Sequence, residues 1–214
     1  MIGLVWKDIL VMRKTLRAYA LFLAFYFILA VMGAFDISLV TAMLQVILLM
    51  LPISAFSYDE QAKWNRYVLT FPLGRRAVVG ARYLFCLLTA LFASACGLLI
   101  CVFTSLLGRS QMEENLATVL ASLGVGLLIV DIMLPLCYKL GPERARPYLY
   151  AVVFFPIIAL FLANRLGFHM DLSFLDRMPP VSGLGLFALV PLAALAGMWL
   201  SWLISCRVVA GKEF

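Results

Sequence analysis

Residues 83–107 read YLFCLLTALFASACGLLICVFTSLL, without a single charged side chain. The run is longer than the roughly 20 helical residues that cross the hydrocarbon layer of a bilayer. Its apolar residues do not alternate with polar ones, as they would over the roughly ten residues of a membrane barrel strand. The stretch therefore predicts a membrane-spanning α-helix.

Apolar windows of this kind occur six times along the 214 residues, at 18–35, 38–56, 83–107, 116–138, 148–164 and 183–206. The composition agrees, since 65% of the residues are hydrophobic and 13% are charged, against roughly 45–50% and 25% in an ordinary soluble domain. Soluble enzymes and soluble binding modules are thereby excluded. We predict an all-α integral membrane protein with six transmembrane helices in a single domain over residues 1–214.

The 17 Lys and Arg residues are distributed unevenly among the segments between these windows. The amino-terminal segment, the second and fourth connections and the carboxyl-terminal tail carry 14 of them, and the opposite side has only Arg109, Arg165 and Arg177. Positive charge marks the cytoplasmic side of a membrane protein. Both termini are therefore predicted to be cytoplasmic, and the net charge of +6 is interpreted as a topology signal rather than as nucleic-acid binding.

The segment before the first window has an amphipathic pattern. Apolar residues recur at steps of three and four, at Ile2, Val5, Ile9, Met12 and Leu16, which predicts a helix over residues 2–17 at the membrane surface. The helix serves either as a topology anchor or as an elbow that moves with neighbouring spans.

The second connection, residues 57–82, is longer than two antiparallel spans require. Within it Trp64, Tyr67, Val68 and Phe71 have the spacing of one helical face, and Pro72 ends the pattern. We therefore predict a cytoplasmic helix of about four turns between the second and third spans. Its aromatic face either lies in the lipid interface or docks into a groove of a cytoplasmic partner, and we prefer docking.

Asp131 is the only formally charged residue well inside a predicted span. An ionised carboxylate at that depth costs about 2.5–3.5 kcal/mol on insertion scales, which predicts a partner, a water-filled cavity or a bound proton. It either serves transport, by lining the path or linking moving helices, or is a neutral structural group. We prefer the structural role by a small margin.

Small residues form rows at steps of four inside three of the windows. The rows are Thr89, Ala93, Gly97, Cys101 and Ser105; Thr118, Ser122 and Gly126; and Ala193, Gly197, Ser201 and Ser205. Such rows allow helices to approach closely in lipid. They predict packing inside the subunit or, as the alternative, an interface between two subunits.

Catalytic and cofactor-binding patterns are missing from the sequence. His169 is the only histidine, so neither a histidine-based zinc motif nor a histidine acid–base pair is present. The only Gly-Lys pair, Gly211 and Lys212, is followed by Glu213 and does not belong to a phosphate-binding loop. We therefore expect no catalytic site, metal or cofactor in this chain.

Three segments resemble those of small ABC type-2 permeases, including the permeases of phenol-soluble-modulin and lantibiotic-type peptide exporters. The similarity is carried by Lys7-Asp8-Ile9-Leu10; by Asp59-Glu60, Trp64, Arg66-Tyr67, Phe71-Pro72-Leu73 and Arg75 with 78–83; and by Leu134-Pro135-Leu136 and Lys139-Leu140-Gly141-Pro142-Glu143-Arg144, where the family often has Phe in place of Leu140.

This resemblance implies a permease subunit of an ABC exporter in the bacterial cytoplasmic membrane. It implies pairing with a second permease and binding of two ATPase subunits, which hold the ATP and Mg²⁺. The implied ATPase-coupling interface consists of Asp59, Glu60, Trp64, Arg66, Tyr67, Val68, Phe71, Pro72 and Arg75. The implied second cytoplasmic loop contains Lys139, Gly141, Glu143 and Arg144. The alternative is an ATP-independent secondary transporter or a membrane scaffold, although a coupled carrier would be expected to have more intramembrane charges than Asp131 alone.

Overall fold

The computed structural model describes residues 2–33, 37–64, 67, 74–106, 112–165 and 180–211, and regular structure within them is α-helical throughout. The helices in these residues are α1 (Ile2–Val11), α2 (Arg13–Met32), α3 (Ile37–Gln61), α4 (Arg75–Leu106), α5 (Met112–Leu140), α6 (Pro142–Arg165) and α7 (Pro180–Ala210). The predicted all-α class is confirmed for this part of the chain.

Three of the helices are long and apolar enough to cross a membrane. These segments are Arg76–Leu106 in α4, Asn115–Leu140 in α5 and Ala188–Ala210 in α7, with mean hydropathies of 2.5, 2.3 and 1.8. The other predicted spans, 18–35, 38–56 and 148–164, coincide with α2, α3 and α6 over the described residues. That those three helices also cross the membrane stays a prediction.

Large apolar side chains remain exposed on the outer surfaces of the helices. Leu21 is 73% exposed, Phe155 is 74% exposed and Leu106 is 80% exposed. Contiguous apolar surface of this kind is unfavourable in water, whereas a lipid environment covers it without a penalty. The exposure therefore agrees with a membrane protein.

The main core lies where the carboxyl ends of α3, α5 and α7 meet the amino ends of α4 and α6. Its buried members include Phe56, Val79, Leu134, Ala145 and Val209, one from each of these helices. The core holds together the helix ends that flank the second and fourth connections. These connections are therefore neighbours in space.

The amino-terminal segment is divided where the sequence predicted one helix. We expected a helix over 2–17, but α1 ends at Val11 and α2 begins at Arg13. Met12 lies between them with φ −90° and ψ 10°, and its side chain is fully buried. Hydrogen bonds continue across the bend, from Met12 N to Asp8 O and from Leu16 N to Met12 O. The helix that continues into the first predicted span thus begins at Arg13, five residues before residue 18, with the buried Met12 at the bend.

The second connection begins later than predicted. α3 does not end at Phe56 but continues to Gln61, so Asp59 and Glu60 belong to the end of this helix. The chain then turns at Lys63, whose φ of +49° is left-handed. Trp64 and Tyr67 follow with helical backbone. Arg66, Val68, Phe71 and Pro72 lie outside the described residues, as does the side chain of Arg75, so the four-turn helix stays a prediction.

The small-residue rows are used for packing inside the subunit. A Cβ at Gly97 of α4 would lie 3.3 Å from Val119 Cγ1 of α5, and Cys101 is 1% exposed. The tightest approach joins α5 to α7, where a Cβ at Gly124 would lie 2.6 Å from Val190 Cγ1. Gly124 belongs to none of the predicted rows. For the residues described, Gly97 and Cys101 pack inside the subunit, and the pairing alternative for the rows stays a prediction.

Candidate functional site

Four charged side chains meet at the start of the second connection. They come from three helices: Lys7 and Asp8 from α1, Asp59 from α3 and Arg82 from α4. Lys7 Nζ lies 3.0 Å from Asp8 Oδ1 and 2.7 Å from Asp59 Oδ1. Arg82 Nη1 lies 3.0 Å from Asp8 Oδ2, and Nη2 donates to Asp59 Oδ2. Each cation contacts both carboxylates, and we refer to these four residues as the charge cluster.

The charge cluster is largely removed from solvent. The exposed side-chain fractions are 7% for Arg82, 6% for Asp8, 13% for Asp59 and 21% for Lys7. Buried charges are tolerated when they are paired, and loss of one partner leaves an uncompensated charge. The two positive and two negative groups balance to zero, so the arrangement depends on the presence of all four.

Apolar packing on α1 and α4 brings the cluster together. Asp8 follows Val5 by three residues and precedes Met12 by four, so it shares their buried helical face. Arg82 is close in sequence to two buried residues of α4, Ala81 and Phe85. These four apolar residues belong to one buried cluster, together with Leu51 and Ala55 of α3. Packing of three helices against one another thus encloses the charges.

The charge cluster also contacts aromatic residues on both sides of the predicted start of the second connection, residues 57–82. Lys7 Nζ lies 4.3 Å from the centroid of the Trp64 ring, a cation–π geometry. Arg82 Cζ lies 4.8 Å from the centroid of the Phe56 ring. Tyr67 is 61% exposed. The structure therefore brings two predicted interface residues, Asp59 and Trp64, together through Lys7 and leaves the Tyr67 side chain largely accessible.

The two predicted cytoplasmic connections are adjacent. Arg146 of α6 donates a hydrogen bond from Nη2 to Ser57 Oγ over 3.4 Å. A Cβ at Gly141 would lie 3.6 Å from Glu60 Oε1. Glu60, an expected coupling residue, thus lies beside Gly141, an expected residue of the second loop.

The second loop is a tight turn between α5 and α6. Gly141 alone separates the helices, with a left-handed φ of +85° that glycine adopts without a steric penalty. Its N–H donates to Cys137 O over 3.0 Å. Lys139 lies in the last turn of α5 and Glu143 in the first turn of α6, where each charge favours its helix dipole. Arg144 is exposed.

Asp131 belongs to α5, and its carboxylate lies against α7 inside the helical bundle. Its residue exposure is 8%, and neither carboxylate oxygen has a hydrogen-bond partner among the described residues. A Cβ at Gly197 of α7 would lie 3.0 Å from Asp131 Oδ2. A partner side chain, one of the three predicted ways of accommodating this charge, is not found in the part of the chain that the structure describes.

A chain of hydroxyl groups from α4 and α7 ends on the backbone carbonyl of Asp131. Ser201 Oγ donates to Asp131 O over 2.6 Å. Since a serine hydroxyl has one proton, Ser201 accepts from Tyr83 OH at 2.6 Å. Tyr83 has then used its own proton and accepts from Ser205 Oγ at 2.8 Å. All three hydroxyl protons are committed, and none is directed at the carboxylate.

Sequence reasoning missed three members of the charge cluster as site residues: Lys7, Asp8 and Arg82. The sequence places Lys7 and Arg82 in the cytoplasmic charge count, and Asp8 enters only through the family resemblance. The signal that could have found them is the spacing of Asp8 from Val5 and Met12, because a carboxylate on an apolar helical face requires a cationic partner.

Comparison with known proteins gives one match. The sequence model of a family described as "ABC-2 family transporter protein" matches residues 3–210. This range includes the charge cluster, the second connection and Asp131. No curated protein and no solved structure matches the chain.

Proposed function

The chain belongs to the ABC-2 family of transporter proteins, and on that premise we propose that it is the permease subunit of an exporter driven by a separate ABC ATPase. The chain is a membrane protein and a transporter subunit. The proposal adds that two such permeases pair, that two ATPase subunits bind them on the cytoplasmic side, and that both termini lie on that side of a bacterial cytoplasmic membrane.

The contact of Lys7 with Trp64 carries this proposal. Trp64 and Tyr67 belong to the segment proposed to dock on the ATPase, and Lys7 joins Trp64 to the charge cluster. The cluster in turn fastens α1, α3 and α4 to one another. A force applied to the docking segment therefore reaches three helices at once.

Burial makes this connection stiff. Separating a buried ion pair leaves each charge without its counter-ion, which costs about 3–5 kcal/mol. Motion of the docking segment then displaces the cluster as a unit instead of breaking it. The expected consequence is movement of α4, which contains a candidate membrane-spanning segment.

Amphipathic peptides are the proposed cargo. This part of the proposal is supported by the resemblance of the coupling region to permeases of peptide exporters. The large exposed apolar surface of the helices is compatible with lipid and gives no information on the cargo.

Truncation of the aromatic side chains tests the docking. Trp64→Ala and Tyr67→Ala should each reduce co-purification of the ATPase, because an aromatic anchor at an interface centre commonly contributes about 2 kcal/mol, roughly thirtyfold in affinity. ATP-driven transport in vesicles should fall in parallel. Membrane insertion should be unchanged.

A matched control separates docking from general effects of losing an aromatic ring. Trp199 of α7 is 63% exposed in a candidate membrane-spanning segment, so Trp199→Ala should retain the full complement of ATPase. Trp64→Ala removes the ring that Lys7 contacts, and Tyr67→Ala removes the other aromatic side chain of the proposed docking face. Normal ATPase recovery and transport with both Trp64→Ala and Tyr67→Ala would contradict the proposed interface.

A further inference from the structure

Asp131 combines deep burial with a lack of donors. Its carboxylate oxygens accept no hydrogen bond from any described residue, and the three nearby hydroxyls have committed their protons to one another and to the Asp131 carbonyl. A carboxylate in this position is costly in a membrane. Among the residues that the structure describes, the carboxylate therefore has no group that compensates its charge.

The described groups packed around Asp131 supply no positive charge. α4 presents Tyr83 and Cys86, the titratable side chains that interact with it electrostatically. α7 presents Gly197 and Ser201. The formally charged residues of α3 and α6 lie near the ends of those helices, at 59–60, 143–146 and 165. A ligand that compensates this carboxylate would therefore bring its own positive charge.

The close packing at the carboxylate favours a proton over a metal ion. A single methyl group at Gly197 would stand 3.0 Å from Oδ2, so α7 lies directly against the carboxylate. A metal ion such as Na⁺ or Ca²⁺ requires several oxygen ligands, whereas the neighbouring hydroxyl groups form a hydrogen-bonded chain that ends on the backbone carbonyl of Asp131. A proton requires neither a cavity nor further ligands.

We propose that Asp131 is an intramembrane proton-binding site, occupied while α5 and α7 are packed together and emptied when they separate. Separation of α5 from α7 would remove Gly197 from the carboxylate and admit water, which favours the ionised form. Proton binding is then linked to the packing of the two helices. The proposal concerns the permease alone and does not depend on which ATPase, if any, it binds.

The pH dependence of stability tests the linkage. If the packed state binds one proton more than the unfolded state, stability falls as pH rises. The unfolding equilibrium constant then increases by up to about tenfold per pH unit. We would compare the purified full chain in lipid nanodiscs with Asp131→Asn, an uncharged variant of similar shape, from about pH 5 to about pH 8. The wild type should lose stability relative to the variant over this range. Parallel curves would overturn the proposal.

Infrared spectroscopy of the wild type provides a test that does not depend on folding of the variant. A protonated carboxyl group absorbs infrared light at a different frequency from ionised carboxylates. The proposal therefore requires the band of a protonated carboxyl group near neutral pH, and its loss when the protein is unfolded. A spectrum with ionised carboxylates only would overturn it. A wild-type stability that depends on Na⁺ and is indifferent to pH would assign the site to a metal ion and would also overturn it.

Discussion

Removal of the Arg82 guanidinium should destabilise the protein strongly. Arg82→Gln leaves Asp8 and Asp59 with Lys7 as their remaining cationic partner in the charge cluster and changes the charge of the cluster from zero to −1. Breaking a buried pair in this way costs about 3–5 kcal/mol. Because Lys7 Nζ stays within 3.0 Å of one carboxylate and 2.7 Å of the other, we expect the lower end, about 3 kcal/mol or roughly 150-fold in the unfolding equilibrium constant.

Arg76→Gln is the matched control for this experiment. Arg76 lies on the same helix but is exposed, so its loss should change stability by no more than about 0.5 kcal/mol. Arg82→Lys should be intermediate, because one ammonium group does not reproduce the two-pronged contact of a guanidinium. The measurement is denaturant unfolding of the purified permease in micelles, followed by tryptophan fluorescence.

A second substitution distinguishes charge balance from packing. Adding Asp59→Asn to Arg82→Gln restores a neutral cluster, so the double variant should recover part of the lost stability, which a double-mutant cycle would reveal as coupling. The reasoning would be refuted if Arg82→Gln proved no more harmful than Arg76→Gln. It would also be refuted if the two substitutions were additive.

Three further outcomes are expected. Gly124→Ala should destabilise by about 1–3 kcal/mol in the same unfolding assay, because its Cβ would lie 2.6 Å from Val190 Cγ1, whereas Gly3→Ala, with no atom within 4 Å, should be harmless; equal effects would contradict this. Tyr83→Phe should cost about 1–3 kcal/mol by interrupting the buried hydroxyl chain, and unchanged stability would contradict the proton accounting. A cysteine at Lys63 should resist labelling by an impermeant thiol reagent added outside intact cells, and strong labelling would reverse the predicted topology.

Apolar run length and hydrophobic period predicted the elements that depend on local sequence. The windows at 83–107, 116–138 and 183–206 correspond to the three candidate membrane-spanning segments, because an uninterrupted apolar run predicts a helix without knowledge of its neighbours. Element ends were less predictable. The apolar window ends at Phe56, but α3 continues to Gln61. Residues 57–61 are polar and contain no helix breaker, so the helix extends beyond the apolar run.

Local sequence patterns do not predict contacts between residues that are distant in the chain. Asp59 and Arg82 pair across 23 positions, and Lys7 and Asp59 across 52, so charge counting by loop treated them as independent surface groups. Gly124 was missed because it lies outside the step-of-four row on its helix, although α7 approaches it most closely. Asp131 was recognised because a charge inside an apolar run stands out without any knowledge of its partners.

The order of residues in the charge cluster has a consequence for biogenesis. Asp8 and Asp59 both precede Arg82 in the chain, so the two carboxylates and Lys7 are synthesised before the guanidinium leaves the ribosome. Arg82 immediately precedes the third apolar window, and its counter-ions are already made when it is synthesised. The cluster can therefore close only once the start of α4 has been synthesised, and its closure joins α4 to α1 and α3.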